Sequence, residues 1–455
     1  MTGRRSGAPA PVMWKMAALP AGTRPLDPPA RHRHGRSMTD QPAPAPRFAL
    51  LFMFITVLIS MIGFGIIIPV MPDLLTEVTS RSVSEAASLG GWLYFAYALA
   101  QFVMSPILGG LSDRFGRRPV ILVSLLTYAV DFLLLAVAPT YAWLVLARIV
   151  SGATAATYST ANAVIADVSP PEKRAANFGL MGAAFGLGFI IGPVIGGLFS
   201  EMGTRAPFYA AAALGFSNVV FGFFVLPETL KEKRAFDILR ANPLGSLMSV
   251  SRYNMVFIVL GAYFLMQFAH QALPAVFSYF AVFKYGWSPA DIGYALTFVG
   301  VTAAVVQGGL TRRIIPAIGE ARSVLIGATA MTISFIGYAF FAPTGIYVYL
   351  WIFVGALGGL MMPAMQGIMS TAVPGDAQGE LQGAVASVMS LTMMTSPVAM
   401  TMMFTYYTSG EAGFIFAGAP LVLSCLCIVA SMVPFAVIVA RSSNSKVQAS
   451  PGANA

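Results

Sequence analysis

Eight stretches of this chain are of a length to cross a bilayer core once as a helix, about 20 residues or somewhat more, and hold no Asp, Glu, Lys or Arg. They are Phe48 to Pro72, Ala86 to Ser112, Ala175 to Ser200, Ala206 to Pro227, Tyr253 to Phe283, Ile292 to Thr311, Leu381 to Gly410 and Ala412 to Ala440. Such runs exclude barrel strands, which need only about 10 residues each. Two further regions are too long for one crossing. Pro119 to Ala166 must turn back near Pro139-Thr140, and Ser323 to Gly375 near Pro343-Thr344-Gly345, because Pro and Gly end helices where backbone groups can reach water. The expectation is an all-α membrane protein with twelve transmembrane helices. With 57% hydrophobic and only 10% charged residues, the chain departs far from a soluble domain, which carries about 25% charge.

The basic residues set an expected orientation. If both ends are cytoplasmic, segments 1–47, 113–118, 167–174, 228–252, 312–322, 373–380 and 441–455 hold 23 of the 27 Lys and Arg. The opposite loops hold only Arg81, Arg205 and Lys284. By the positive-inside rule both termini are expected in the cytoplasm.

The net charge of +9 does not point to nucleic acid, because most of it sits in residues 1–47. That tail is rich in Pro, Arg and Ala and lacks apolar periodicity, which reads as disorder. Contact with anionic headgroups is a second reading, and a translation start at Met38 rather than Met1 a third. Cys425 and Cys427 stand two apart on one span and have no other cysteine to pair with, so neither a disulfide nor a cysteine metal site is expected. His32, His34 and His270 lack metal-ligand spacing.

The spans repeat. An offset of 204 residues places Asn162 on Gln366, Pro170 on Pro374, Gly179 on Gly383 and Pro193 on Pro397. GGLTRR at 308–313 copies GGLSDR at 109–114 with an offset of 199. Two pseudo-symmetric six-helix bundles are the simplest account, residues 48–227 and 253–440, joined by a cytoplasmic linker over 228–252 and followed by a tail over 441–455. Chance alignment in a Gly-rich chain is the competing account.

Several motifs carry a resemblance. GGLSDRFGRRPV at 109–120 resembles the signature loop between helices 2 and 3 of the major facilitator superfamily. LARIVSG at 146–152 is similar to its helix 4 motif, and GLGFIIGPVIGG at 186–197 to the helix 5 motif of its proton antiporters. With GFGIIIPVMPDLL at 63–75, AVDF at 129–132, FLMQFAHQ at 264–271 and GGLMMPAMQGIMS at 358–370, the resemblance runs from about Phe48 to Ala440. It points to the drug–proton antiporters of the tetracycline efflux group.

The motifs also have a physical reading. In the first, Gly109 lets helices approach and Gly116 allows a tight reversal, while Arg114, Arg117 and Arg118 supply the charge that fixes topology. Asp113 is within reach of Arg117, and the family's arrangement implies that it also meets the N-terminus of the eleventh helix near Gly379 as a gate. Topology alone is the plainer alternative. Gly188, Gly192 and Gly196, four residues apart, make a smooth face on the fifth span, with Pro193 to bend it and Gly197 beside it. A role for this face in preventing proton leak is implied only by the resemblance.

Asp131 and Arg148 lie inside spans, where a charge costs on the order of 2.5–3.5 kcal/mol and is kept for a polar cavity or a partner. The resemblance gives both a part in proton coupling, and a fixed structural pair is the alternative. Other positions depart from the tetracycline group. Ser60 stands where it has an aspartate, Met331 where it has an acid and Gly286 where it has a histidine, which puts tetracycline itself in doubt as substrate. Neutral amides remain for a substrate cavity: Gln101, Asn162, Gln267, Gln271 and Gln366, with bonding between helices as their alternative role.

No phosphate-binding loop or cluster of loop acids marks an enzyme or ATP-driven pump. The expected protein is a monomeric, cofactor-free secondary transporter, driven by the proton gradient, that exports small amphiphilic molecules. A metabolite importer or symporter of the same fold is the alternative.

Overall fold

The computed structural model describes residues 46–155, 157–230 and 253–448. The N-terminal tail over 1–45 and most of the 228–252 linker lie outside the described residues. Twelve rods follow one another. The first six are α1 (Pro46–Thr79), α2 (Val83–Phe115), α3 (Arg117–Val137), α4 (Tyr141–Thr154 and Thr157–Val168), α5 (Pro171–Ser200) and α6 (Ala206–Val225). The second six begin with α7 (Asn254–His270 and Ala272–Tyr285) and α8 (Pro289–Ile318, with a π-helical turn over Val306–Leu310). They continue through α9 (Glu320–Phe340), α10 (Ile346–Thr371, with a 3₁₀ stretch over Ala356–Leu360), α11 (Gln378–Thr408) and α12 (Ala419–Gln448). Among the described residues, 11 helices are long and apolar enough to cross a bilayer, and the two pieces of α4 make the twelfth rod.

The chain reverses at both predicted places, between Val137 and Tyr141 and between Phe340 and Ile346. Two boundaries differ from the charge-free runs. The last span starts at Ala419 rather than near 412, because Gly410 and Gly413 adopt φ of +93° and +77° and hold a loop. It continues to Gln448, past the expected tail boundary at 441, since nothing between Phe435 and Gln448 is Pro or Gly.

Equivalent helices pack alike in the two halves. In the first, α1 lies on α5, α2 on α4 and α3 on α6; in the second, α7 lies on α11, α8 on α10 and α9 on α12. The duplicated turn needs one correction. Gly116 ends α2 and opens α3 with φ +117°, and its counterpart is Gly319, which ends α8 and opens α9 with φ +88°. The offset there is 203, so GGLTRR does not occupy the turn. It sits inside α8, at and just beyond the π-helical turn, where Gly308 and Gly309 permit the wider coil.

The halves meet chiefly through two seams, α2 on α11 and α5 on α8, which the repeat exchanges with each other. Both are tight at one end only. A Cβ on Gly91 would begin 3.0 Å from the Pro397 carbonyl and collide with the Thr401 hydroxyl; one on Gly293 would begin 2.5 Å from the Pro193 carbonyl. Ser278 donates to the Ile68 carbonyl at 2.8 Å, Thr405 to that of Ser84 at 2.6 Å and Thr297 to that of Ile190 at 3.2 Å. All of these lie away from the chain termini. At the end carrying the Gly116 turn, a Cβ on Gly109, Gly179, Gly182, Gly308 or Gly379 would meet nothing within 4 Å. The molecule is closed at one end and open at the other.

Candidate functional site

The only acid–base pair set deep among the described spans is Asp131 on α3 with Arg148 on α4. The rods are antiparallel neighbours joined by a three-residue turn, which brings residues 17 apart in sequence face to face. The Arg148 guanidinium donates to Asp131 Oδ2, and its other face covers the Tyr97 ring of α2 at 5.9 Å. Asp131 is 1% exposed and Arg148 8%. Asp131 Oδ1 and Arg148 Nε are buried without a hydrogen bond of good geometry, with the Ser151 hydroxyl of α4 beside the carboxylate. An unmatched carboxylate oxygen in an apolar setting is a place where a proton can be held.

At the open end, the loop after α2 is tied into its own half. Asp113 and Arg117 form an ion pair at 2.7 Å, and Arg117 also reaches Asp167 at the end of α4, at 3.4 Å. Arg118 donates to the Phe223 carbonyl of α6 at 2.6 Å, and Arg114 lies over the ring of its neighbour Phe115. Glu228, just after α6, accepts from the backbone N–H groups of Arg117 at 2.9 Å and Arg118 at 3.2 Å. Its carboxylate thus caps the N-terminus of α3, where free N–H groups and the helix dipole favour an anion. A Cβ on Gly116 would strike that carboxylate. The approach of α11 to Asp113 is absent here: the space around Gly379 is open and Asp113 is 42% exposed.

Sequence reasoning missed Glu228 and Asp167. Each stands more than 45 residues from the loop it completes. The only signal was that both acids sit on the same predicted face of the membrane as the three arginines.

The glycine face of α5 receives α1. A Cβ on Gly188 would meet Met61 and the Leu58 carbonyl at 2.5 and 2.7 Å, one on Gly192 the Ile62 carbonyl at 2.5 Å and one on Gly196 the Ile66 carbonyl at 2.8 Å. Gly197 turns the other way, to Ala290 of α8, while Pro193 lays its ring against Gly65 of α1 and presents its carbonyl to Gly293 of α8. One rod therefore packs α1 on one side and the opposite half on the other.

The four glutamines lie on three helices. Gln101 is on α2, Gln366 on α10 beside the buried Tyr263, and Gln267 and Gln271 flank the break in α7, all partly exposed. No hydrogen bond joins one of these amides to another among the described residues. Asn162 is on α4, and its side chain lies outside the described residues. Ser60 turns its hydroxyl back to the Thr56 carbonyl at 2.9 Å, Met331 packs its sulfur near Gly355 and Gly358, and Gly286 ends α7 in the left-handed region at φ +65°. Among the described residues no three His, Cys, Asp or Glu are placed to hold a metal ion.

Comparison with known proteins agrees with this architecture. The chain is 37% identical over 380 residues to the class C tetracycline resistance protein of Escherichia coli, covering 83% of this chain and 95% of that one. It is 28% identical over 376 residues to multidrug resistance protein 2 of Bacillus subtilis, covering 80% and 92%. Among solved structures it resembles the nucleoside transporter NupG, with a TM-score of 0.69, 13% identity and coverage of 86% of this chain and 98% of that one, a likeness of fold alone. The model of the Major Facilitator Superfamily matches residues 53–354 and again 259–451, so this twelve-helix, two-bundle chain belongs to that superfamily.

Proposed function

We propose that this protein is a proton-coupled exporter of small amphiphilic compounds that works by alternating access, as a monomer, in a bacterial plasma membrane with both termini in the cytoplasm. The observation that carries the reading is the buried Asp131–Arg148 pair with its unmatched Oδ1. A carboxylate in that setting alternates between the ion pair and a protonated acid when the surrounding helices shift, and so couples proton movement to conformation. Resistance proteins related over more than three quarters of the chain support export as the direction.

The orientation rests on the 23 basic residues assigned to one face against three on the other. The open end then faces the cytoplasm, the side from which an exporter loads. Gly109, Asp113, Arg114, Gly116, Arg117 and Arg118 act as the inner gate, with Asp113 free to receive the N-terminus of α11 when that end closes. Gly188, Gly192, Pro193, Gly196 and Gly197 keep the outer end sealed in the loading state. Gln101, Asn162, Gln267, Gln271 and Gln366 offer neutral hydrogen bonds to cargo in an apolar cavity. The gradient supplies about 2.3 kcal/mol per charge per 100 mV in addition to its pH component.

In inverted vesicles energised to acid inside, wild-type protein is expected to take up dye when the gradient is imposed and to stop with a protonophore. Asp131→Asn is expected to abolish gradient-driven uptake while energy-independent exchange across the vesicle continues. Uptake by the variant at the wild-type rate and with the same protonophore sensitivity would remove Asp131 from the coupling.

A further inference from the structure

The acids and bases of the described spans fall within two turns of a helix end, with three exceptions or near-exceptions: Asp131, Arg148 and His270. The first two neutralise each other and are sealed. His270 stands midway along α7, at the break where Pro274 denies the His270 carbonyl its helical hydrogen bond. Its side chain is exposed, although α7 packs against α1, α2, α10, α11 and α12, and among the described residues it has no hydrogen-bond or ion-pair partner. An accessible side chain at the centre of a helical bundle faces the internal cavity rather than lipid.

The charge inventory of that cavity is therefore lopsided. Neither half offers it a free carboxylate at mid-depth. Ser60 on α1 and Met331 on α9 are neutral, and Asp73 lies near the closed end of α1. The face of Tyr97, which could have received an organic cation, already carries the Arg148 guanidinium. An imidazole is neutral or positive and offers a donor N–H in either state.

We infer that the cavity takes uncharged or anionic amphiphiles and discriminates against organic cations, with His270 as the residue that binds an acceptor or carboxylate of the cargo. This deepens the export reading and rests on it for the identity of the cavity. A permanent cation entering here would lose its hydration with no counter-ion in reach, the situation that makes buried unpaired charge so unfavourable. A carboxylate or carbonyl finds the His270 N–H and the amides of Gln267 and Gln271 on the same stretch of helix.

Three probes sharing one fluorophore test this on the purified full-length protein: dansylglycine, an anion; dansylamide, which is neutral; and dansylcholine, a quaternary ammonium. Binding is read by dansyl fluorescence and transport by proteoliposome flux under a pH gradient. Dansylglycine and dansylamide are expected to bind at least about 10-fold more tightly than dansylcholine. His270→Ala is expected to weaken dansylglycine about 10-fold and leave dansylamide within about twofold, and His270→Asp to invert the preference toward dansylcholine. Equal or tighter binding of dansylcholine by the wild type, an equal loss for all three probes in His270→Ala, or binding of none of them would overturn the inference. Anion-preferring binding without gradient-driven flux would instead remove the export reading and leave the cavity's selectivity standing. Gradient-driven flux of dansylcholine would do the reverse.

Discussion

Gly91 of α2 and Pro397 of α11 meet backbone to backbone: a Cβ on the glycine would begin 3.0 Å from the proline carbonyl. The same arrangement recurs across the molecule between Gly293 of α8 and Pro193 of α5. These glycines make the seal at the closed end a contact of bare helices. Gly91→Val or Gly293→Val places methyl groups where a carbonyl now sits, and overpacking of this kind costs about 1–3 kcal/mol. Because the other end of each seam is already apart, the expected relief is opening of the sealed end. Spin labels or cysteines near Ser84 and Thr405 should report a longer distance and faster labelling than in the wild type, with a population shift of about 5- to 150-fold toward the outward-open form.

The Asp131–Arg148 pair predicts a pattern rather than one number. Arg148→Ala leaves a buried carboxylate without its partner, and breaking such a pair costs about 3–5 kcal/mol. Thermal unfolding in detergent should show a strong loss of stability. The double variant Asp131→Asn, Arg148→Gln carries no buried charge and should recover most of that loss while remaining uncoupled. A double variant as unstable as Arg148→Ala would mean that the site is held by packing on Tyr97 rather than by charge.

Glu228 predicts a separable effect. Removing a cap from a helix N-terminus costs about 0.5–2 kcal/mol, and Glu228→Ala should lower thermal stability by that amount. Glu228→Gln retains an acceptor oxygen and should recover part of it. Gly116→Ala should be worse than either, since it combines a strained φ of +117° with a collision against the Glu228 carboxylate.

Arg205 ties three pieces of the first half together at the closed end. It donates to Glu77 of α1 at 2.8 Å and to the Ala136 and Ala138 carbonyls at the end of α3, at 2.8 and 2.9 Å. Arg205→Ala should lower the melting point through those freed carbonyls, by about 1–3 kcal/mol in stability. Glu77→Gln should cost much less, because Glu77 is an exposed partner whose charge is screened by water. Thermal scanning of both variants separates the two contributions.

Much of this architecture was legible in the residues themselves. Charge-free runs fixed the number of spans because an unpaired charge in lipid is so unfavourable, and Pro139 and Pro343 marked reversals because proline has no N–H to give. The breaks inside α7 and α10 also had a signal that run-length reading passes over: Pro274 and Pro363 each stand four residues after the carbonyl they free, in His270 and Gly359. The pairing of Asp131 with Arg148 was legible as residue types but not as contact, since only the hairpin geometry of α3 and α4 brings them together. Glu228 was legible only as an acid on the same face as the arginines and not as a cap, because its partner N–H groups lie 110 and 111 residues away. Which end is sealed was equally hidden. Both ends carry the small residues that let helices close, and a sequence encodes the two arrangements at once.

The two seams between the halves are related by the repeat yet finished differently. Along α5 and α8, Gly197 lies against Ala290, and Thr297 is hydrogen-bonded across the seam to the Ile190 carbonyl at 3.2 Å. On the other side, Thr401 stands where the repeat places Gly197, and Thr405 is hydrogen-bonded across the seam to Ser84. When the halves swing, each flank must release a threonine hydroxyl, Thr405 from Ser84 on one side and Thr297 from Ile190 on the other. The α2–α11 flank carries the shorter of the two bonds, so two seams related by the repeat do not hold the closed end equally.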